Sequence, residues 1–181
     1  RHYEIWQDYI VRFYKPPKIK EIALFLPCAF RKPYSQSKTH KEILKKIINL
    51  HIYPKLHQIM ISNPGIIPRE FEAKYPFSTY DWPEWEETEK IKKRYIEVTE
   101  KRIENYLKAH KYKKYFCYFK PQSESYISLK NACKKLNINL INLFDNKLYE
   151  DTETKANVLI NRKALNIMVA KLKKETTGRN R

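Results

Sequence analysis

Apolar positions along this chain follow two periods, and the switches between them mark its elements. Residues 1–14 carry Ile5, Trp6, Tyr9, Ile10 and Phe13 at helical spacing, which predicts an amphipathic helix ended by Pro16 and Pro17. Glu21 to Cys28 is a short apolar run stopped by proline and reads as a buried strand. A helix is expected from about Thr39 to Leu50, with Thr39 and Glu42 at capping-box spacing and Ile43, Leu44, Ile47 and Ile48 inward. Leu56 to Ser62 is a second strand, and Asn63-Pro64-Gly65 is a turn. The stretch from Ile66 to Trp85 is rich in proline and aromatics and reads as an ordered loop.

A long charged helix covers roughly Glu84 to His110, with Ile91, Tyr95, Val98, Ile103 and Leu107 inside. Tyr115 to Phe119 is a third strand. Ser125 to Leu136 is a helix with Leu129, Ala132, Cys133 and Leu136 inward, and Ile138 to Phe144 is a fourth strand. A short strand at Val158–Ile160 then leads into a helix from Asn161 to about Lys174. Strands alternating with helices argue for a three-layer α/β domain with a mostly parallel central sheet of about four strands flanked by helices. The expected organisation is an N-terminal helix and linker over 1–20, the α/β core over 21–145 and a basic C-terminal helical extension over 146–181. Ligands of such sheets sit beyond the carboxyl ends of the strands, which singles out the loops after Cys28, Ser62 and Phe119.

Charge adds a partner. The 181 residues hold 37 basic against 20 acidic side chains, a net charge of +17, the electrostatic footprint of a nucleic-acid binder. Abundant Ile, Lys, Asn and Tyr also fit the compositional bias of an AT-rich genome. The stretch Thr154–Arg181 concentrates Lys155, Arg162, Lys163, Lys171, Lys173, Lys174, Arg179 and Arg181 against the single acid Glu175, so it is expected to contact RNA phosphates, as are Arg31, Lys38 and Arg69. The aromatics Tyr75, Phe77, Tyr80, Trp82 and Trp85 either stack on unpaired bases or pack inward. With only Gly65 and Gly178 present, no Walker or GxGxxG loop exists. No His/Cys cluster has zinc spacing, so neither a cofactor nor a metal is expected. Cys28, Cys117 and Cys133 form no CxxC pair, which suits a reducing cytosol better than a disulfide framework. No membrane span or secretory signal is expected. A chain that opens on Arg1 is expected to be trimmed at its start.

Candidate chemistry gathers between Cys28 and His40. Arg31 and Lys32 would favour a Cys28 thiolate. His40, in a first helical turn, suits a neutral general base. Arg31 and Lys32 would hold a carboxylate or phosphate. Blander readings stand beside these: a small buried cysteine, a surface histidine and loop cations that meet RNA. The second loop adds Arg69, Glu70, Glu72, Tyr80 and Asp81.

The arrangement Pro27, Cys28, Lys32, Pro33, Tyr34, Ser37 and His40, followed by SNPGIIPREFEAKYPFSTYD, resembles the core domain of archaeosine synthase, the archaeal tRNA-modifying amidotransferase. The resemblance covers roughly Glu21 to Phe144 and implies a uracil-DNA-glycosylase-like α/β fold. It also implies a reaction that joins the side-chain amine of lysine to the nitrile of 7-cyano-7-deazaguanine in the tRNA D-arm. Carried over, His40 would deprotonate the amine, and Cys28 would add to the nitrile or shape the pocket. Lys32 and Tyr34 would orient the lysine carboxylate or the base, with Ser37 completing the motif. Full-length members also carry a transglycosylase-like region and a PUA-type RNA-binding domain, and neither fits in this length.

Two functions follow. One is a tRNA modifier, supported by the intact motif. The other is a non-catalytic rRNA-binding ribosomal protein that reuses the domain, supported by the charge, the small size and the basic C-terminal stretch. Their partners are tRNA or rRNA, with other tRNA-modification or ribosomal proteins. A DNA-repair glycosylase rests on fold analogy alone.

Overall fold

A computed structural model describes residues 2–79, 88–151 and 157–177. Among these residues five strands form one sheet: β1 (Ile22–Pro27), β2 (Leu56–Ser62), β3 (Gly65–Pro68), β4 (Lys114–Cys117) and β5 (Leu140–Asn142), in the spatial order β3-β2-β1-β4-β5. β1 runs parallel to both β2 and β4, and β4 runs parallel to β5. Only β3 is antiparallel, paired with β2 from Ile59↔Pro68 to Ser62↔Gly65. All seven residues of β2 and the first five of β1 are buried, the continuous apolar signature of strands covered on both faces.

Among the described residues six helices surround the sheet: α1 (His2–Arg12), α2 (Lys38–Ile47), α3 (Glu89–Ala109), α4 (Glu124–Lys135), α5 (Asn146–Asp151) and α6 (Arg162–Thr177). The path from β1 through α2 to β2 moves one way along the sheet, and the path from β4 through α4 to β5 moves the other. Right-handed crossovers therefore put α2 and α4 on opposite faces. The packing agrees: α3 lies against α4 and α1, and α2 lies against α6. Lys135 ties α4 to Glu100 and Glu104 of α3 at 2.5 and 3.1 Å. The topological switch point falls between β1 and β4.

The fifth strand lies inside the segment expected to be loop. Asn63 and Pro64 turn the chain, and Gly65, at φ +130°, opens β3. A β-carbon there would land on the Gln7 side chain of α1. Gln7 instead accepts from the Ile66 amide at 2.8 Å and donates to the Ile66 carbonyl at 3.1 Å, extending the edge strand's pairing with a side-chain amide. The short strand expected at Val158–Ile160 is a 3-10 turn that feeds α6.

Helix faces differ from the periodicity in two places. On α1 the inward side chains are Tyr3, Trp6 and Ile10, whereas Ile5, Tyr9 and Phe13 stand out in solvent. The apolar arc of this helix is wider than the surface it covers, because Trp6 alone spans Phe71 and Phe77. On α3 the buried set is Thr99, Ile103, Glu104, Tyr106 and Leu107, while Ile91 and Val98 are exposed. α6 contributes Leu165, Met168 and Leu172 to the same core cluster as the strands. No helix among the described residues is long and apolar enough to cross a membrane.

Candidate functional site

The segment after β1 leaves the sheet at the switch point. Cys28 is exposed there, so it is not the small buried hydrophobe that a strand-end cysteine usually is. Cys117 and Cys133 fill that part instead, and burial pushes both thiols up, Cys133 to about 12. Lys32 curls back and donates to the carbonyls of Ala29 and Phe30 at 2.7 and 2.9 Å. Its ammonium thus closes a tight turn immediately after Cys28. Tyr34 is fully buried and donates to Ser62 Oγ at 3.0 Å, joining this loop to the end of β2. Ser37, not Thr39, caps α2: its hydroxyl accepts from the His40 amide.

His40 is fully buried, and both ring nitrogens are engaged. Nε2 lies 2.7 Å from the Pro27 carbonyl and Nδ1 lies 3.0 Å from Arg69 Nη2. A carbonyl only accepts and a guanidinium only donates, so the ring is the neutral Nε2–H tautomer. Burial, followed by the adjacent Arg69 charge, lowers its pKa to about 3. Neutrality was expected, but its main cause is desolvation rather than the helix dipole. The base role read from the sequence meets a different geometry: neither nitrogen is open to a substrate, and the ring holds the carbonyl immediately before Cys28.

Arg69 is likewise turned inward, where an RNA-phosphate contact was expected. It donates to Gln58 Oε1 through Nε and Nη2 at 3.2 and 2.7 Å, to Glu72 at 3.1 Å and to His40. Glu72 also accepts from the Ser35 amide at 3.0 Å. The two sequence blocks therefore form one buried polar network, running from Pro27 through His40, Arg69 and Glu72 to Ser35. Glu70 faces away from it, accepting from Tyr14 and pairing with His57 at 2.8 Å. Burial pushes the Glu70 carboxyl up, but these partners outweigh it and hold it low.

A cavity of about 780 Å³ opens above this network. Its floor comes from the three strand ends singled out by strand order: Cys28 after β1, Ser62 and Asn63 at the end of β2, and Phe119 with Ser123–Ser125 after β4. Cys28, Phe30 and Lys32 line it, but His40 and Arg69 do not. The facing wall is α3, through Lys92, Arg94, Tyr95 and Arg102. Tyr95 hydrogen-bonds Ser125 at 2.8 Å, and its phenol is raised by burial and by the neighbouring Cys28. These α3 residues were missed in the sequence. Periodicity assigns Tyr95 to the core together with Ile91 and Val98, and Lys92, Arg94 and Arg102 carry no local signal on a helix this highly charged.

The remaining candidates scatter over the surface. Arg31, Lys38, Arg162, Lys163, Lys173 and Lys174 are exposed, and Lys171 is half-buried. α2 adds Lys41 and Lys45, both exposed, beside α6, where Lys46 donates to Asn166 at 3.3 Å. Phe77 is buried and Tyr75 is 64% exposed. Tyr80, Asp81, Trp82, Trp85, Lys155, Arg179 and Arg181 lie outside the described residues. Among the described residues no group of three or more His, Cys, Asp or Glu side chains could hold a metal.

Known proteins resemble this arrangement. A family model described as a domain of unknown function, DUF5591, matches residues 4–161. The archaeosine synthase subunit alpha of Thermoplasma acidophilum is 32% identical over 127 residues, 68% of this chain and 23% of that protein. The subunit alpha of Methanosarcina acetivorans is 41% identical over 105 residues, 55% of this chain and 15% of that protein. The subunit alpha of Thermococcus kodakarensis is 34% identical over 88 residues, 45% of this chain and 15% of that protein. The chain thus spans less than a quarter of these relatives. The crystal structure of AF0587, a protein of unknown function, matches with a TM-score of 0.61 at 17% identity, over 97% of this chain and 51% of that one. That likeness shows the fold.

Proposed function

This chain belongs to the DUF5591 family, and from that premise we propose that it serves archaeosine-type tRNA modification, as the domain that joins lysine to the nitrile of 7-cyano-7-deazaguanine. The observation that carries the reading is the exposed Cys28 at the cavity floor, braced from behind by the rest of its motif. The relationship to archaeosine synthase subunit alpha supports the same substrate class. tRNA in the cytoplasm is then the partner.

The Cys28 thiolate adds to the nitrile carbon, and the nitrile nitrogen takes up a proton, giving a thioimidate. The neutral lysine amine attacks the same carbon. The carbon–sulfur bond breaks, the ammonium proton leaves and an amidine remains. The net change is addition of one N–H across the C≡N bond, with the thiol regenerated. In this scheme Lys32 shapes the loop that presents the thiol. Tyr34, Ser37, His40 and Arg69 are positioning residues that act through that loop.

The test incubates the full chain with a tRNA transcript carrying the nitrile base and isotopically labelled lysine, followed by nucleoside mass spectrometry. The expected product has gained the whole mass of lysine, without loss of water, and the Cys28→Ser variant forms none. Absence of both labelled nucleoside and any nitrile-dependent adduct on Cys28 overturns the proposal. Stable sedimentation with ribosomal subunits in moderate salt, without labelling, replaces it with a structural role on rRNA.

A further inference from the structure

Phe30 is 81% exposed, the highest exposure of any large apolar side chain among the described residues. It stands two residues from Cys28 on the rim of the cavity. Its position is built rather than loose, because the Lys32 ammonium binds both its carbonyl and that of Ala29. The ring therefore stands at the cavity mouth beside an exposed thiol, where it faces whatever enters.

The wall opposite is unusual in the same way. Ile91, Tyr95, Val98 and Arg102 follow one another at helical spacing along α3 and line the cavity. Ile91 and Val98 are 39% and 42% exposed, so this stripe is an apolar surface left open. Cations flank it. Arg102 donates to the Asn63 carbonyl at 2.9 Å. Lys92 and Arg94 enter no salt bridge among the described residues. Among the described residues Glu124 is the one carboxylate on the lining.

We propose that this cavity takes a single nucleotide turned out of an RNA, with its base between Phe30 and the apolar stripe of α3 and its flanking phosphates on Lys92 and Arg94. An enzyme that acts on a base inside folded RNA must first extract it. An aromatic ring on the rim compensates for lost base stacking without reading sequence. The cavity volume of about 780 Å³ lies in the range of roughly 300–1,000 Å³ that holds whole small molecules, so a nucleoside leaves space for a co-substrate. The proposal rests on the tRNA-modifying reading for the identity of the RNA, but the grip itself is independent of the nitrile chemistry.

The test uses two RNA hairpins, one with 2-aminopurine in the loop and one with it in the stem, titrated with the full chain. 2-Aminopurine emission is expected to rise on binding, as the base leaves its stack. Phe30→Ala is expected to weaken binding about tenfold or more and to remove the emission change, and Phe30→Trp to restore both. Lys92→Gln and Arg94→Gln are each expected to flatten the dependence of log affinity on log salt by about 0.7, the release expected per single-strand phosphate. These side chains are at least partly exposed, so melting temperatures are expected to hold, confirming that the variants fold. Unchanged affinity and emission in Phe30→Ala, or an unchanged salt slope in both cation variants, overturns the proposal. Lysine labelling of nitrile-bearing tRNA separates the two readings. Wild-type labelling with the grip variants unaffected sinks only the grip. Variant-sensitive eversion without any labelling sinks only the chemistry.

Discussion

His40 Nδ1 accepts a hydrogen bond from Arg69 Nη2 at 3.0 Å, and this contact, with those of Glu72 to the Ser35 amide and Tyr34 to Ser62, joins the two motif blocks of the sequence into one buried unit. Through it the segment after β1 is fixed to the β2–β3 edge. The Pro27 carbonyl, held by the other nitrogen of the same ring, is fixed with it.

Replacing Arg69 should therefore act on the whole loop. Arg69→Met leaves Gln58, Glu72 and His40 buried without their common donor. Removing one member of a buried charged network costs on the order of 3–5 kcal/mol. The expected outcome is a lower midpoint in urea, together with loss of any activity that depends on Cys28. A variant of wild-type stability would show that the network is not formed.

The neutral His40 makes a pH prediction with a definite sign. Its pKa falls from 6.5 to about 3 on folding. In that window the unfolded chain binds a proton that the folded chain refuses, so this contribution to stability is fully present above about pH 6.5 and is lost as pH falls toward about 3. Ring-resonance titration by NMR should show no His40 inflection between pH 5 and 8. An inflection near 6.5 would restore the open general base.

Much of this was legible in the sequence. The apolar runs of β1 and β2 are buried on both faces, and such strands announce themselves without any partner. Strand order then placed the cavity loops at Cys28, Ser62 and Phe119 before any side chain was located. β3 was hidden because Gly65-Ile66-Ile67-Pro68 is only four residues long, flanked by turn residues and ended by proline. The faces of α1 and α3 were misjudged for a different reason. Periodicity finds an apolar stripe but cannot tell a stripe that meets the core from one that lines an open cavity, as Ile91 and Val98 do. The inward turn of Arg69 was not legible, because no local pattern reveals that Gln58, Glu72 and His40 converge on it from three elements.

Thiol reactivity should divide the cysteines cleanly. Cys28 is exposed, whereas Cys117 and Cys133 are buried with raised pKa values. Iodoacetamide at neutral pH should label Cys28 alone in the folded protein, with the other two labelled only in denaturant. Mass spectrometry of tryptic peptides reads the result directly, and equal labelling of all three in native conditions would contradict the packing of β4 against α4.

Ser37 separates a folding role from a chemical one. Its hydroxyl caps α2 at the His40 amide, so Ser37→Ala should cost about 1 kcal/mol of stability and Ser37→Thr much less. RNA modification should follow stability in this pair, with Ser37→Thr close to wild type. Loss of turnover in a Ser37→Thr variant that melts normally would instead assign the hydroxyl to the reaction.

The surface cations make the last prediction, about attachment rather than chemistry. Lys38 and Lys41 on α2 and Arg162, Lys163, Lys173 and Lys174 on α6 are exposed on two helices that pack together. Side chains of this kind meet phosphates and carry little sequence information. Changing Lys41 and Lys163 together to Gln should weaken binding to unrelated RNAs by similar factors. It should also reduce the salt slope by roughly 1–2, since each lost phosphate contact removes about one released counterion. The 2-aminopurine signal at saturating protein should be unchanged, because neither residue lines the cavity. Filter binding over a range of potassium chloride concentrations measures the slope. A double variant that kept its slope while losing affinity for one RNA only would mean that these helices read sequence, and the division between an attaching surface and a reacting cavity would fail.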